Sequence, residues 1–231
     1  MYKNNKKKVN LICEIGAGFG SLSRLLANEF INSKIIILDL PEANYLNSYY
    51  LLKNFPHKKF LFYSDIKENV LSEKIIKDKD IIIMPPWVKL KNLKVDIYSN
   101  VRSFMEMDHK VIEDYFHEIQ KNISTDGIFV NINRYDKRTV GYPIRLENYP
   151  YDKNWSVITS KQTWNHLNVH TLITKRTNEL SNIDKEIKKI RRLRVINNLK
   201  INKHLLKNIL PHSLFLFIQK TVHYLKNKIN K

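Results

Sequence analysis

The chain has 231 residues, 43% of them apolar, and a formal net charge of +18 from 40 Lys and Arg against 22 Asp and Glu. That length holds one sizeable core, and no apolar run approaches the roughly 18 residues of a membrane-spanning helix. A lone cysteine, Cys13, excludes an internal disulfide and fits a reducing compartment. The basic start "MYKNNKKKVN" lacks the apolar stretch and cleavage site of a secretory signal, so the reading is a cytoplasmic protein.

In chain order, "VNLICEI" (9–15) is an apolar run of strand length followed by a glycine-rich turn. Leu22, Leu25, Leu26 and Phe30 then recur at helical spacing. "KIIILDL" (34–40) predicts a second buried strand, and Pro41 starts a helix with apolar positions Ala43, Leu46, Tyr50 and Leu51. "KKFLFYSD" (58–65) predicts a third strand, and "DIIIMPPW" (80–87) is a short apolar run stopped by two prolines. "KVDIYSNVRSF" (94–104) reads as the fourth sheet strand, followed by a helix over 108–122 with Asp108 as its cap. "GIFVNINR" (127–134) predicts a fifth strand, 135–154 a loop, and "WSVITS" with "VHTLITKR" a closing antiparallel pair. The alternation implies an α/β, Rossmann-like, doubly wound and mostly parallel sheet with an antiparallel final strand. The domain is expected over 1–177, with a C-terminal helical tail over 178–231.

The glycine turn decides the chemistry. Gly16, Gly18 and Gly20 in "EIGAGFGSLSRLL" are spaced G-x-G-x-G, and Ser21 stands where a dinucleotide fingerprint needs its third glycine. A Walker loop would need Gly-Lys-Ser/Thr, which is absent. Glu14 precedes the turn, and an anion there suits a cationic ligand better than a pyrophosphate. Asp39 ends the second strand, where a carboxylate can accept both ribose hydroxyls, and Asp65 ends the third.

With these residues the chain resembles the class I S-adenosylmethionine-dependent methyltransferases. More narrowly, "EIGAGFGSLSRLL", "IIILDLPEANYLNSYYL", "PPW" and "SFMEM" followed by "YF" resemble the sugar O-methyltransferases of bacterial surface-glycan loci, over roughly residues 9–176. The resemblance implies S-adenosyl-L-methionine as cofactor. Glu14, Gly16, Gly18 and Gly20 would hold its methionyl part, Asp39 and Leu40 its ribose, and Asp65 with Ile66 would border adenine. Asp65 reads equally as the cap of a following helix. The resemblance also implies a helical segment before the first strand, where only eight residues precede Val9. A more open pocket, a tail serving as lid, or an incomplete chain would each account for that.

The acceptor is expected over the carboxyl ends of the strands, which directs attention to "SNVRSFMEMDH" (99–109). Glu106 is the first choice for base or acceptor-binding group and His109 the second, with an exposed first-turn residue as the alternative for His109. Asn131, Asn133 and Arg134 read either as binders of acceptor hydroxyls or an acidic sugar, or as a polar strand end. Trp87 reads as a stacking face for a sugar or as a buried turn residue. No His, Asp or Glu spacing argues for a metal. Amino-methyltransferases of nucleic acids use Asp/Asn/Ser-Pro-Pro-aromatic, and Met84 cannot accept a hydrogen bond from an amine as those first residues do. A nucleic-acid methyltransferase is therefore the nearest rival, and a truncated, non-catalytic cofactor-binding module the third reading.

The tail is basic out of proportion, with 13 Lys and Arg against 3 Asp and Glu over 178–231. The stripe over 180–199 predicts packing on the catalytic domain. Residues 204–229, with Phe215 and Phe217 beside Lys220, read equally as a packed segment or as one lying on an anionic membrane near lipid-linked glycan. The expected partner is a sugar or glycan acceptor rather than nucleic acid, and oligomeric state is not legible.

Overall fold

The computed structural model describes residues 8–138, 141–164, 166–201, 213–214, 216–217, 219–221 and 223. The first half runs β1 (Leu11–Ile15), α1 (Ser21–Glu29), β2 (Lys34–Leu38), α2 (Pro41–Asn54), β3 (Phe60–Phe62), β4 (Val70–Leu71), α3 (Glu73–Ile76), β5 (Ile81–Met84) and β6 (Lys89–Leu90). There follow β7 (Val95–Val101), α4 (His109–Asn122), β8 (Ile123–Arg134), β9 (Asp136–Arg138), β10 (Pro143–Arg145), β11 (Trp155–Thr163), β12 (His166–Arg176) and α5 (Ile183–Ile201).

Eight strands form the main sheet in the order β11-β12-β8-β7-β1-β2-β5-β3. From β8 to β3 all neighbours are parallel, whereas β12 and β11 run antiparallel. Strand residues alternate between two cores because successive side chains point to opposite faces. Ile12, Ile35, Ile37 and Ile83 meet Ala27 of α1 and Leu51 of α2 on one face. Cys13, Ile36, Met84 and Tyr98 meet Phe116 of α4 and Ile190 of α5 on the other. The architecture is thus Rossmann-like and doubly wound, with an antiparallel edge.

Three local expectations change. Ile81–Met84 is a full strand inside the sheet, lying between β2 and β3. All four of its residues are buried, as an uninterrupted apolar run requires when both faces are covered. The strand over 60–62 is therefore displaced to the sheet edge, where only Leu61 is buried. The helices follow their expected stripes only in part: Leu26, Phe30, Tyr50 and Leu51 pack on the core, but small and amide residues are buried beside them. In α1 the buried residues are Ser23 and Ala27, with Leu25 exposed, and in α2 they are Asn47 and Leu51, with Leu46 exposed. Small and amide side chains allow these helices to approach the glycine turn closely. The 135–154 segment, expected as a loop, carries the β9–β10 hairpin and buries Ile144 and Leu146.

Ile183, Ile190 and Ile196 of α5 are buried. Asn197 Nδ2 donates to the Leu167 carbonyl at 3.0 Å, and Arg194 Nε donates to Glu147 Oε1 at 2.8 Å. This stretch of the tail packs on the sheet domain. Apart from isolated positions between 213 and 223, residues 204–229, including Phe215, lie outside the described residues. Among the described residues no helix is long and apolar enough to cross a membrane.

Candidate active site

The three glycines of the turn have φ of +72°, +58° and +92° at Gly16, Gly18 and Gly20. This left-handed region costs other residues roughly 1–2 kcal/mol. Each position uses the missing side chain differently. A Cβ at Gly16 would lie 1.9 Å from Ser103 Oγ, so this glycine admits the segment after β7. A Cβ at Gly20 would lie 3.2 Å from Asn47 Cβ, so this one admits α2. At Gly18 nothing lies within 4 Å, and the backbone faces open space.

That space is a cleft of about 630 Å³ at the carboxyl ends of β1, β2 and β7, lined by Gly16, Gly18, Asp39, Leu40, Arg102 and Glu106 among others. Asp39 Oδ2 accepts from the Gly18 N–H at 2.7 Å and Oδ1 from the Leu40 N–H at 2.8 Å. The Ala17 N–H is directed at the same carboxylate, which still keeps accepting capacity for a ligand hydroxyl. Burial raises the Asp39 pKa, and the backbone N–H groups oppose that rise. Glu14 lies behind the turn, buried, where its carboxylate accepts from the Ser23 hydroxyl. Burial pushes its pKa up to about 7; the Asp39 charge adds to the rise and the Ser23 hydrogen bond opposes it.

Glu106 ends the short helical turn Phe104–Glu106 and faces the cleft, paired with Lys137. Asp108 caps α4 as expected, accepting from the Lys110 N–H at 2.9 Å. It also accepts from the Tyr142 hydroxyl, whose hydrogen bond holds the Asp108 carboxyl below its ordinary pKa. His109 stacks on Tyr142 with ring centroids 5.3 Å apart and is not among the cleft-lining residues.

Asn131 and Asn133 are fully buried. Asn133 Nδ2 donates to Asn100 Oδ1 at 2.9 Å and to Asn131 Oδ1 at 2.6 Å, and Asn131 Nδ2 donates to the Tyr151 hydroxyl at 2.9 Å. Asn100 Nδ2 donates to the Ile15 carbonyl at 3.0 Å, while its Oδ1 also accepts the Phe104 N–H at 3.0 Å. This amide ladder ties the ends of β1, β7 and β8 to the 102–105 turn. Its members act on the turn and do not face the cleft.

Asp65 and Ile66 follow the edge strand β3 and do not line the cleft. Asp65 Oδ2 accepts from the Phe62 N–H at 2.9 Å. The insertion of β5 puts Pro86 at the wall instead. Arg134 sits half-buried opposite Val169 on β12, outside the lining. Trp87 is half-exposed and edge-on to Tyr63 at 5.9 Å. It lines a second, apolar cleft of about 350 Å³ that shares Leu38, Pro86, Val111 and Tyr115 with the first. Sequence reasoning missed Arg102, Ser103, Pro86 and Tyr115. Only the location of 99–109 after the fourth strand pointed to the first two.

No protein-family model and no curated protein matches the chain. Solved structures similar to it include the mitomycin 7-O-methyltransferase MmcR, with TM-score 0.49 and 15% identity over 73% of this chain and 49% of that one. TrmK of M. capricolum, solved with S-adenosyl-homocysteine, has TM-score 0.49 and 14% identity over 96% and 91% of the two chains. The pyocyanin biosynthetic protein PhzM has TM-score 0.47 and 10% identity over 74% and 52%. The chain spans about half the length of MmcR and PhzM.

Proposed function

We propose that the protein is an S-adenosylmethionine-dependent methyltransferase acting on a hydroxyl of a sugar in a surface glycan. One observation carries the reading: the glycine turn and Asp39 face Glu106 across a single cleft. The residues present fit the cofactor. Gly18 opens to the cavity, Asp39 retains lone pairs for ribose hydroxyls, and Leu40, Ala43, Val101 and Pro86 offer apolar walls to a base. The carboxylate of Asp39 in the cleft wall favours a cation over a pyrophosphate. When bound, the sulfonium supplies a methyl carbon already activated for displacement.

The protein's own part is alignment and proton removal. Glu106, oriented by Lys137, takes the proton of the acceptor hydroxyl as its oxygen forms the new bond. Trp87, at the mouth of the adjoining cleft, offers a face to the sugar ring. The amide ladder through Asn131 and Asn133 holds the segment bearing Glu106. Met84 is wholly buried in β5, which leaves the Pro-Pro-Trp segment without a side-chain acceptor for a base amine.

The test is incubation with labelled S-adenosylmethionine and glycan from the native host, using wild type, Asp39→Ala and Glu106→Ala. Transfer by wild type is expected, with loss in Asp39→Ala and a fall of about 10²–10⁴-fold in Glu106→Ala. Full turnover by Glu106→Ala removes the base assignment. Transfer to duplex nucleic acid in place of glycan removes the acceptor assignment, and cofactor binding without any transfer favours a non-catalytic module.

A further inference from the structure

Among the described residues that line the main cleft, Arg102 is the one basic side chain. It is exposed, and it makes no ion pair or side-chain hydrogen bond among the described residues. Its backbone is left-handed, with φ +62°, a conformation unfavourable for any residue with a Cβ. The surroundings hold it there. Its N–H donates to the Ile132 carbonyl at 2.8 Å. Two residues later the Phe104 N–H is fixed on Asn100 Oδ1, and the Met105 N–H approaches Asn133 Oδ1 at 3.4 Å. The next residue, Ser103, fills the space beside Gly16. Strain sustained by a buried polar network at a cavity wall is a pattern of functional sites.

We infer that Arg102 binds the carboxylate of the donor's methionyl group, an inference that rests on the donor assignment above. Contact between Ser103 and Gly16 places Arg102 at the glycine-turn end of the cleft. The donor presents one carboxylate, and this end of the cleft offers one guanidinium whose planar donor fork matches it. The amide ladder is the positioning element that holds the backbone of this turn, and so the point from which the Arg102 side chain extends.

Calorimetry with S-adenosylhomocysteine and with decarboxylated S-adenosylmethionine, on wild type, Arg102→Gln and Arg102→Gly, tests this. Both variants are expected to bind S-adenosylhomocysteine about ten- to hundred-fold more weakly, the range of a charge-assisted contact. Affinity for the decarboxylated ligand should not change. Arg102→Gly should also melt at a higher temperature than wild type, because glycine relieves the left-handed strain, so lost binding there is not lost folding. Equal weakening for both ligands, or for neither, overturns the inference. So does unchanged S-adenosylhomocysteine affinity with a raised KM for glycan, which would assign Arg102 to an anion on the acceptor. Wild type binding neither ligand overturns the donor assignment itself.

Discussion

Ser103 stands in the space that Gly16 leaves empty: a Cβ on Gly16 would come within 1.9 Å of its Oγ and 2.3 Å of its Cβ. The contact joins the turn after β1 to the turn after β7, the two segments that frame the cleft. Gly16→Ala therefore carries both left-handed strain, roughly 1–2 kcal/mol, and overpacking of about 1–3 kcal/mol. Gly18→Ala carries the first alone, since nothing lies near it. Chemical denaturation should rank Gly16→Ala below Gly18→Ala, and adding Ser103→Gly to Gly16→Ala should bring the two level. Equal stabilities for the single variants would contradict the geometry.

Glu14 and His170 give opposing pH dependences. The folded Glu14 carboxyl, raised from 4.5 to about 7 by burial, binds more protons than the unfolded one across that window, so its contribution to stability falls as pH rises through it. His170 is buried between the Tyr135 hydroxyl and Ser160 Oγ, each 2.8 Å from a ring nitrogen. Burial first, then the Lys189 charge, lowers its pKa from 6.5 to about 4, so its contribution falls as pH drops through that window. Glu14→Gln removes only the first. The stability difference between wild type and Glu14→Gln should change by up to about 1.4 kcal/mol per pH unit between pH 4.5 and 7. Parallel curves would rule out the raised Glu14 pKa.

Asn133 serves three partners at once, two through Nδ2 and one through Oδ1. Asn133→Ala removes the Nδ2 donor that Asn100 Oδ1 and Asn131 Oδ1 share and should cost about 1–3 kcal/mol. Asn133→Asp should cost more, because it sets a carboxylate oxygen against the Oδ1 atoms of Asn100 and Asn131. Both should weaken S-adenosylhomocysteine binding by loosening the 102–105 turn. Urea melts that leave Asn133→Asp as stable as Asn133→Ala would contradict the donor directions.

Arg194 fastens α5 to the domain through Glu147, with side chains only 12% and 6% exposed. Removing the cation strands a buried carboxylate, so Arg194→Ala should cost about 3–5 kcal/mol. Arg194→Ala combined with Glu147→Gln should recover much of that loss. A cost below 1 kcal/mol in the single variant would show that α5 does not depend on this pair.

The sequence by itself determined the strand, glycine turn and helix over 9–30, the acidic end of the second strand and the cap of α4. These are local: the backbone conformation at Gly16, Gly18 and Gly20, and the Asp108 carboxylate accepting an N–H two residues further on, depend on immediate neighbours. Tertiary structure alone decided which strand lies beside β2. "IIIM" and "FLF" are both apolar enough for that place, and only pairing across the sheet put Ile81–Met84 there and moved Asp65 to the edge. It alone decided that Asn131 and Asn133 point inward to Asn100, because alternation along β8 says which residues share a face but not what waits on it. Arg102 became a site residue for the same reason: its left-handed backbone is imposed by partners on other strands, which no reading of its neighbours reveals.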